Sequence, residues 1–419
     1  MLLLLLGINT HSTTIIILIL MKKITILLFA LLVLSKINVL KAESLSPQAE
    51  FSLITVTPGD DLYSCFGHSA FLLLDSTNEI AKMYNYGTFD FEDPDFYLNF
   101  TRGKLKYRLS VENPGELLYM ASEENRAVIQ QVLQLSAGQK QRLYNFLEKN
   151  YLPENRFYQY DFFYDNCSSR LRDALVEACG DSLQFNLKFA NEGQSFRALI
   201  DPYLKNKRYQ DMGMDIGLGL PADKIATPYQ YMFLPDYLME AFAGATNIVD
   251  GEKVPLIYSE QTVLPNQPSD ASTPFFLQPW FAFTLLLLVV IALTYSQYKK
   301  QRNGYWLDAI LFTVVGLFGL VLVFLWFFTD HGVTAKNFNL IWAMPLHLIF
   351  VPMLLRGKKI KRVSSYFLAY FFALLFLLIF WKFTPQELNA NIIPLLLALA
   401  IRAMYIYYRI DKDFVRWKV

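Results

Sequence analysis

The chain has almost no net charge. It carries 38 Lys+Arg against 37 Asp+Glu in 419 residues. It therefore lacks the basic excess with which proteins attract nucleic acid, and nucleic acid is not an expected partner. It is also poor in metal-binding side chains. Four histidines and three cysteines lie scattered, with no zinc-ligand spacing. No Walker loop and no dinucleotide fingerprint occurs, so no metal and no cofactor is expected. The cysteines are Cys65, Cys167 and Cys179. If one helix carries the last two, they stand roughly 18 Å apart, whereas bridged Cα atoms lie within roughly 7 Å. Only Cys65 is left as a disulfide partner for either, in a compartment that permits one.

Apolar residues are what the chain has in excess. They make up 54% of it against 18% charged, too apolar for an ordinary soluble domain. The excess is uneven. From Met21 the sequence "MKKITILLFALLVLSKINVLKA" has a basic start, an apolar stretch and a small residue at Ala42, the pattern of a secretory signal peptide. We expect Met21 to be the true start and residues 1–42 to be a signal peptide with an upstream extension. Residues 43–270 read as a globular exported domain. Residues 271–419 read as a membrane domain with five spans, Pro274 to Ser296, Tyr305 to Phe328, Phe338 to Leu355, Ser365 to Trp381 and about Ile392 to Tyr408. The segments "YKKQR", "RGKKIKR" and the tail are basic, so the positive-inside rule puts them in the cytoplasm. The 43–270 domain and the loops 329–337 and 383–391 then share the outer face.

In the soluble half, "CFGHSAFLLLD" (Cys65 to Asp75), Glu79 to Phe91 and Gly103 to Glu112 read as strands. The stretch "ENRAVIQQVLQLSAGQKQRLYNFLEKNYL" has a helical pattern. Residues 200 to 270 read as loops with short helices. "YDNCSSRLRD" places Cys167 in the first turn of a helix, after Asp165 or Asn166 as N-cap. A cysteine at a helix N-terminus tends towards the thiolate. His68 is the only histidine of the exported domain, at a strand entry, and a nucleophilic thiol needs such a base. Asn85, on the next strand with Tyr84 and Tyr86, suits the group that orients the histidine. The Cys167 N–H, with Asn166 or Tyr63, is a candidate oxyanion donor. Arg170 and Arg172 are candidate contacts for a phosphate headgroup. His331, Lys336, Asn337 and Asn339 stand at the outer membrane boundary, where they are positioned to bind substrate. His347 is an intramembrane histidine, a functional candidate by default.

"YSCFGHSAFLLLD", "YNYGTFDF" and "YDNCSSRLRDAL", in that order, resemble the DUF4105 family, the periplasmic domain of Lnb-type bacterial lipoprotein N-acyltransferases. The segment "DMGMDIGLGLPADKIATPYQYMFLPDYLMEAF" and the multi-span C-terminus with "DHGVTAKNFNLIW" fit the same family. The resemblance implies an α+β fold, a permuted papain-like (NlpC/P60-like, LRAT-like) periplasmic domain followed by an all-α five-span transmembrane domain. It implies a multi-pass protein of the bacterial inner membrane whose periplasmic domain carries a Cys167–His68 dyad, with a glycerophospholipid as acyl donor. The acceptor would be the α-amine of a diacylglyceryl-modified lipoprotein. Two other readings fit the residues. One is a membrane-anchored cysteine peptidase or amidase acting on peptidoglycan or exported peptides. The other is a non-catalytic binding module with a Cys65–Cys167 disulfide.

Overall fold

A computed structural model describes residues 20–24, 44–89, 94–104, 106–266, 274–301, 304–356 and 361–416. The expected signal peptide lies outside them except for the helical turn at 20–24. From Leu45 onward the rest forms one compact unit.

The described strands of the soluble part are β1 (Glu50–Val56), β2 (His68–Asp75), β3 (Ile80–Thr88), β4 (Lys106–Glu112), β5 (Val128–Leu133), β6 (Phe157–Gln159), β7 (Thr246–Val249), β8 (Glu252–Pro255) and β9 (Ile257–Leu264). Seven of them form an antiparallel sheet in the order β6-β4-β3-β2-β1-β5-β9, and β7 pairs with β8 apart from it. Apolar side chains fill both faces of β2: Ala70, Phe71, Leu72 and Leu73 are all buried. The helix Pro114–Glu123 covers one face through Leu117 and Ala121, packed with Ile54, Ala70, Leu72, Met83 and Val128. The helix Cys167–Cys179, called here the cysteine helix, packs on β2 and β3.

The expected long helix after residue 124 proves to be a strand and then a helix. Val128, Ile129 and Val132 belong to β5, which pairs with β1 and β9. β-Branched residues fit a pleated surface better than a helix. The helix Ala137–Tyr151 starts only after Ser136, whose side chain and Gln139 form a capping box. β9 itself lies in the region read as loops, because its alternation is weak: it is an edge strand and most of it is exposed.

The C-terminal part is helical. Among the described residues, four helices are long and apolar enough to cross a membrane: Pro279–Lys300, Trp306–Phe327, Lys361–Ile379 and Ala390–Asp411. The third expected span is broken rather than continuous. It consists of a short turn at Phe338–Ile341 and the helix Phe350 lies in, His347–Leu355, which has Pro352 inside it. Pro345 precedes that helix, and proline removes the donor a continuous helix needs.

The two parts are bolted together. Arg197, 1% exposed, donates to Asp223 at 2.9 and 3.1 Å and to Asp215 at 2.5 Å. These groups fix the segment 215–223, against which the loop between the second and third spans docks. The Gly219 N–H donates to Val333 O at 2.9 Å. Asn337 Nδ2 donates to Ile216 O at 2.7 Å, and Gln386 Nε2, from the last loop, donates to Leu218 O at 2.9 Å. Any Cβ at Gly219 would overlap the Ala335 carbonyl. Gly219→Ala is therefore expected to destabilise the protein by about 1–3 kcal/mol, as overpacking does. Thermal unfolding in detergent, followed by tryptophan fluorescence, checks this; an unchanged midpoint would refute the close docking.

Candidate active site

The site lies where β2 begins, beside an irregularity in β3. His68 opens β2, paired with Val56 of β1. Asn85 sits on β3 opposite Ser110 of β4, and Glu112 follows two residues later on the same face of the sheet. His68 Nε2 and Asn85 Oδ1 are 2.6 Å apart. Asn85 Nδ2 donates to the Glu112 carboxylate at 3.2 and 3.4 Å. The Ser110 hydroxyl also donates to Glu112. A carboxylate only accepts, so it holds the Asn85 amide with its oxygen towards His68. Nε2 must then carry a proton and donate it, which leaves Nδ1 to face the sulfur.

Cys167 is the first residue of its helix, directly after the cap Asn166. His68 and the Ser69 N–H both favour the ionised form of its thiol. The Ser168 hydroxyl stands 3.9 Å away. Burial opposes charge on both members of the pair. On Cys167 it is outweighed by the His68 imidazolium, the hydrogen bond from that ring and the Ser69 N–H, and the thiol titrates below its ordinary range. On His68 burial is outweighed by the Cys167 thiolate and the hydrogen bonds to Cys167 and Asn85, and the imidazole titrates above its ordinary range. Each group thus favours the charged form of the other. Cys65 and Cys179 behave oppositely, with burial pushing their thiols up to about 11 and about 12. All three cysteines are free thiols, so the disulfide on which a non-catalytic module would rest is not formed.

Three tyrosines lie within electrostatic reach of the sulfur. Tyr107 and Tyr160 stack at 4.3 Å. Burial first, and the Cys167 thiolate second, raise the pKa of Tyr107, Tyr158 and Tyr160.

Several residues expected to touch substrate are committed elsewhere. Asn166 is buried; its oxygen accepts from the Ser168 and Ser169 N–H groups, and its nitrogen donates to Phe162 O and Phe233 O. It is a cap and a tie, with nothing left for an oxyanion. Tyr63 is exposed and donates to Glu124 at 2.8 Å, away from the groups bonded to Cys167. Arg170 is held by Asp165 at 2.6 and 2.7 Å and lies on the Tyr158 ring, so it braces the site rather than waiting for a phosphate. Arg172 lies over Tyr229 and pairs with Asp173. Asn337 and Asn339 are buried and donate to carbonyls of residues 215–217; they join the two parts of the chain. His331 is half-buried against Gly103, the turn that leads into β4. Inside the membrane part, His347 Nδ1 bonds the Tyr366 hydroxyl at 2.8 Å. Glu112 and Ser69 escaped the sequence reading. Only the expected strand Gly103 to Glu112 hinted at the first, and nothing hinted at a backbone donor.

The family model of the Lnb N-terminal periplasmic domain matches residues 39–201, and that of the Lnb transmembrane domain matches residues 270–413. No curated protein and no solved structure matches the chain.

Alkylation of the folded protein by iodoacetamide should select Cys167 and stay fast at about pH 7, well below the ordinary cysteine pKa of about 8.5. His68→Ala should move the midpoint upward, because burial is then opposed only by the Ser69 N–H and the Ser168 hydroxyl. A profile insensitive to His68→Ala would refute the ion pair. Glu112→Ala removes the bond that orients Asn85, worth about 1 kcal/mol, and should slow alkylation at about pH 7 by about fivefold. Mass spectrometry of the labelled peptide reads both.

Proposed function

The chain belongs to the Lnb family of membrane proteins with a periplasmic domain, and from that premise we propose that it is a lipoprotein N-acyltransferase of the bacterial inner membrane. The observation that carries the reading is that Asn85 holds His68 at 2.6 Å and His68 in turn favours the ionised form of Cys167, in a domain fastened to membrane-spanning helices.

The Cys167 thiolate attacks an ester carbonyl of a glycerophospholipid. A C–S bond forms, the ester C–O bond breaks, and the leaving alkoxide takes the proton of the His68 imidazolium. The products are an acyl thioester and a lysophospholipid. Neutral His68 then accepts a proton from the α-amine of a diacylglyceryl-modified N-terminal cysteine as the amine attacks the thioester. A C–N bond forms, the C–S bond breaks, and the thiolate–imidazolium pair returns. Covalent catalysis of this kind divides one difficult transfer into two easier ones. Both substrates are lipids, and a catalytic domain fastened to the membrane meets them at high effective concentration. A peptidase would need a tether but no such tight docking to the spans.

Incubation of the detergent-solubilised protein with phospholipid should add one acyl mass to Cys167, removable by hydroxylamine and absent from Cys167→Ala. A diacylated lipopeptide should discharge the adduct onto its amine. A reactive Cys167 that never gains the mass, but cleaves peptidoglycan fragments, would replace this reading by the hydrolase.

A further inference from the structure

The hydroxyl of Tyr158, which like Cys167 borders Gly87, is buried without a hydrogen-bond partner. Tyr158 lies on β6 and is 7% exposed. Buried hydroxyls are nearly always paired, so an unpaired one in an otherwise ordered site needs a reason.

The ring cannot swing away to find a partner. The Arg170 guanidinium lies 3.5 Å from its centroid, and Asp165 holds that guanidinium through two bonds at 2.6 and 2.7 Å. The Tyr86 ring meets it edge-on at 6.1 Å. The hydroxyl borders Gly87. A Cβ on Gly87 would lie 4.0 Å from the Tyr158 hydroxyl and 3.6 Å from Cys167 Cβ. Gly87 has φ +92°, a conformation that favours glycine, and the β3–β4 register shifts there, between Tyr86 and Thr88. Such bulges recur beside active sites, where they re-aim groups. Room for about one methyl group is thus kept clear between the nucleophile and an unused donor. A carbonyl oxygen is of similar size.

We propose that this niche is the oxyanion hole, and that Tyr158 is a catalytic residue whose O–H donates to the oxygen of the tetrahedral intermediate formed on Cys167. The proposal rests on the reading of Cys167 as an acyl-accepting nucleophile. As the thiolate attacks, the C–S bond forms and the carbonyl π pair moves onto oxygen; Tyr158 donates a hydrogen bond to that oxygen and keeps its proton. When the intermediate collapses, the pair returns to the carbonyl and the leaving alkoxide departs with the proton of His68. The Cys167 N–H, which the Asn166 cap does not reach, points from the helix start as the second donor. Because the hydroxyl is unpaired at rest, its bond is gained only as the oxyanion develops, the condition for lowering the barrier rather than deepening substrate binding. The Arg170 cation on the ring face strengthens the phenol as a donor. Burial, and then the nearby thiolate, keep that phenol protonated.

Two reactions of the same sulfur separate this role from any other. Acylation by p-nitrophenyl butyrate passes through an oxyanion; alkylation by iodoacetamide does not. In the full-length, detergent-solubilised protein, Tyr158→Phe keeps the ring under Arg170. It should leave the alkylation rate and its pH profile unchanged and slow acylation of Cys167 by about 10²–10³-fold, as loss of one oxyanion donor does. Equal rates of acylation in both proteins would overturn the proposal. So would a parallel loss of alkylation, which would make Tyr158 a support of the thiolate. The ester reports on Tyr158 whatever the natural donor is. If the wild type accepts butyryl from the ester but nothing from phospholipid, the lipid substrate fails and the oxyanion hole stands.

Discussion

A single side chain fixes where the sulfur sits. Asn166 uses its whole hydrogen-bonding capacity: two N–H groups of the cysteine helix at 2.9 Å each, and two carbonyls, Phe162 and Phe233, at 2.8 Å each. Ser169 returns a bond to its backbone N–H at 2.8 Å. The first pair ends the helix one residue before Cys167. The second ties that end to a segment far along the chain. The helix start, with its partial positive charge, is thereby held against β2, where His68 and the Ser69 N–H meet the sulfur. The thiolate depends on this placement more than on any one neighbour. Burial pushes its titration the wrong way, and only groups in direct contact can reverse that.

The same economy operates where the domain meets the spans. Arg197 satisfies Asp215 and Asp223 together, and Asn389 donates to Asp215 and Asp211 at 2.8 and 3.2 Å. Gln386 and Asn337 spend their amides on the carbonyls of residues 216–218. Polar groups buried at such a seam are costly if one partner is lost, so the seam holds as a unit. Met212 and Ile216 of the same segment pack against the apolar core of the helical bundle. The seam therefore sets the site's position on the bundle through the backbone of residues 215–220, not through a flexible tether.

Which parts of this were legible in the sequence follows from which parts are local. The cap before Cys167, the strand after His68 and the apolar spans each announce themselves within about ten residues, as capping preferences and hydrophobic runs do. Asn85 was within reach because it lies on the strand next to His68. What is not legible is a partner that arrives from elsewhere in the chain. Asn166, Asn337 and Asn339 looked like substrate groups because an asparagine at a loop or helix edge offers unused polar atoms. In the fold those atoms are consumed by Phe233 O and by the carbonyls of residues 215–217. Glu112 went unnoticed for the converse reason: its importance comes from the antiparallel register that sets Asn85 opposite Ser110. β5 was mistaken for a helix since its strand character comes from lying between β1 and β9.

The charges inside the bundle bear on where the chemistry happens. Ionisable groups in a membrane are functional candidates by default, and Asp308, Arg402 and His347 are all fully buried. Yet four of the five N–H donors of Arg402 are taken: Asp308 takes two at 2.7 Å each, Thr294 one at 2.8 Å and Gln297 one at 3.0 Å. That set joins the helices Pro279–Lys300, Trp306–Phe327 and Ile393–Arg416 near the end where Lys299 and Lys300 stand, the end opposite the seam. The bundle is pinned by buried ions at its basic end and by the Arg197 network at the other. Arg402 and Asp308 are spent on each other and on their neighbours, so they act as a fastening. The Cys167 thiol, whose ionisation burial opposes and His68 favours, lies in the domain that the bundle holds in place.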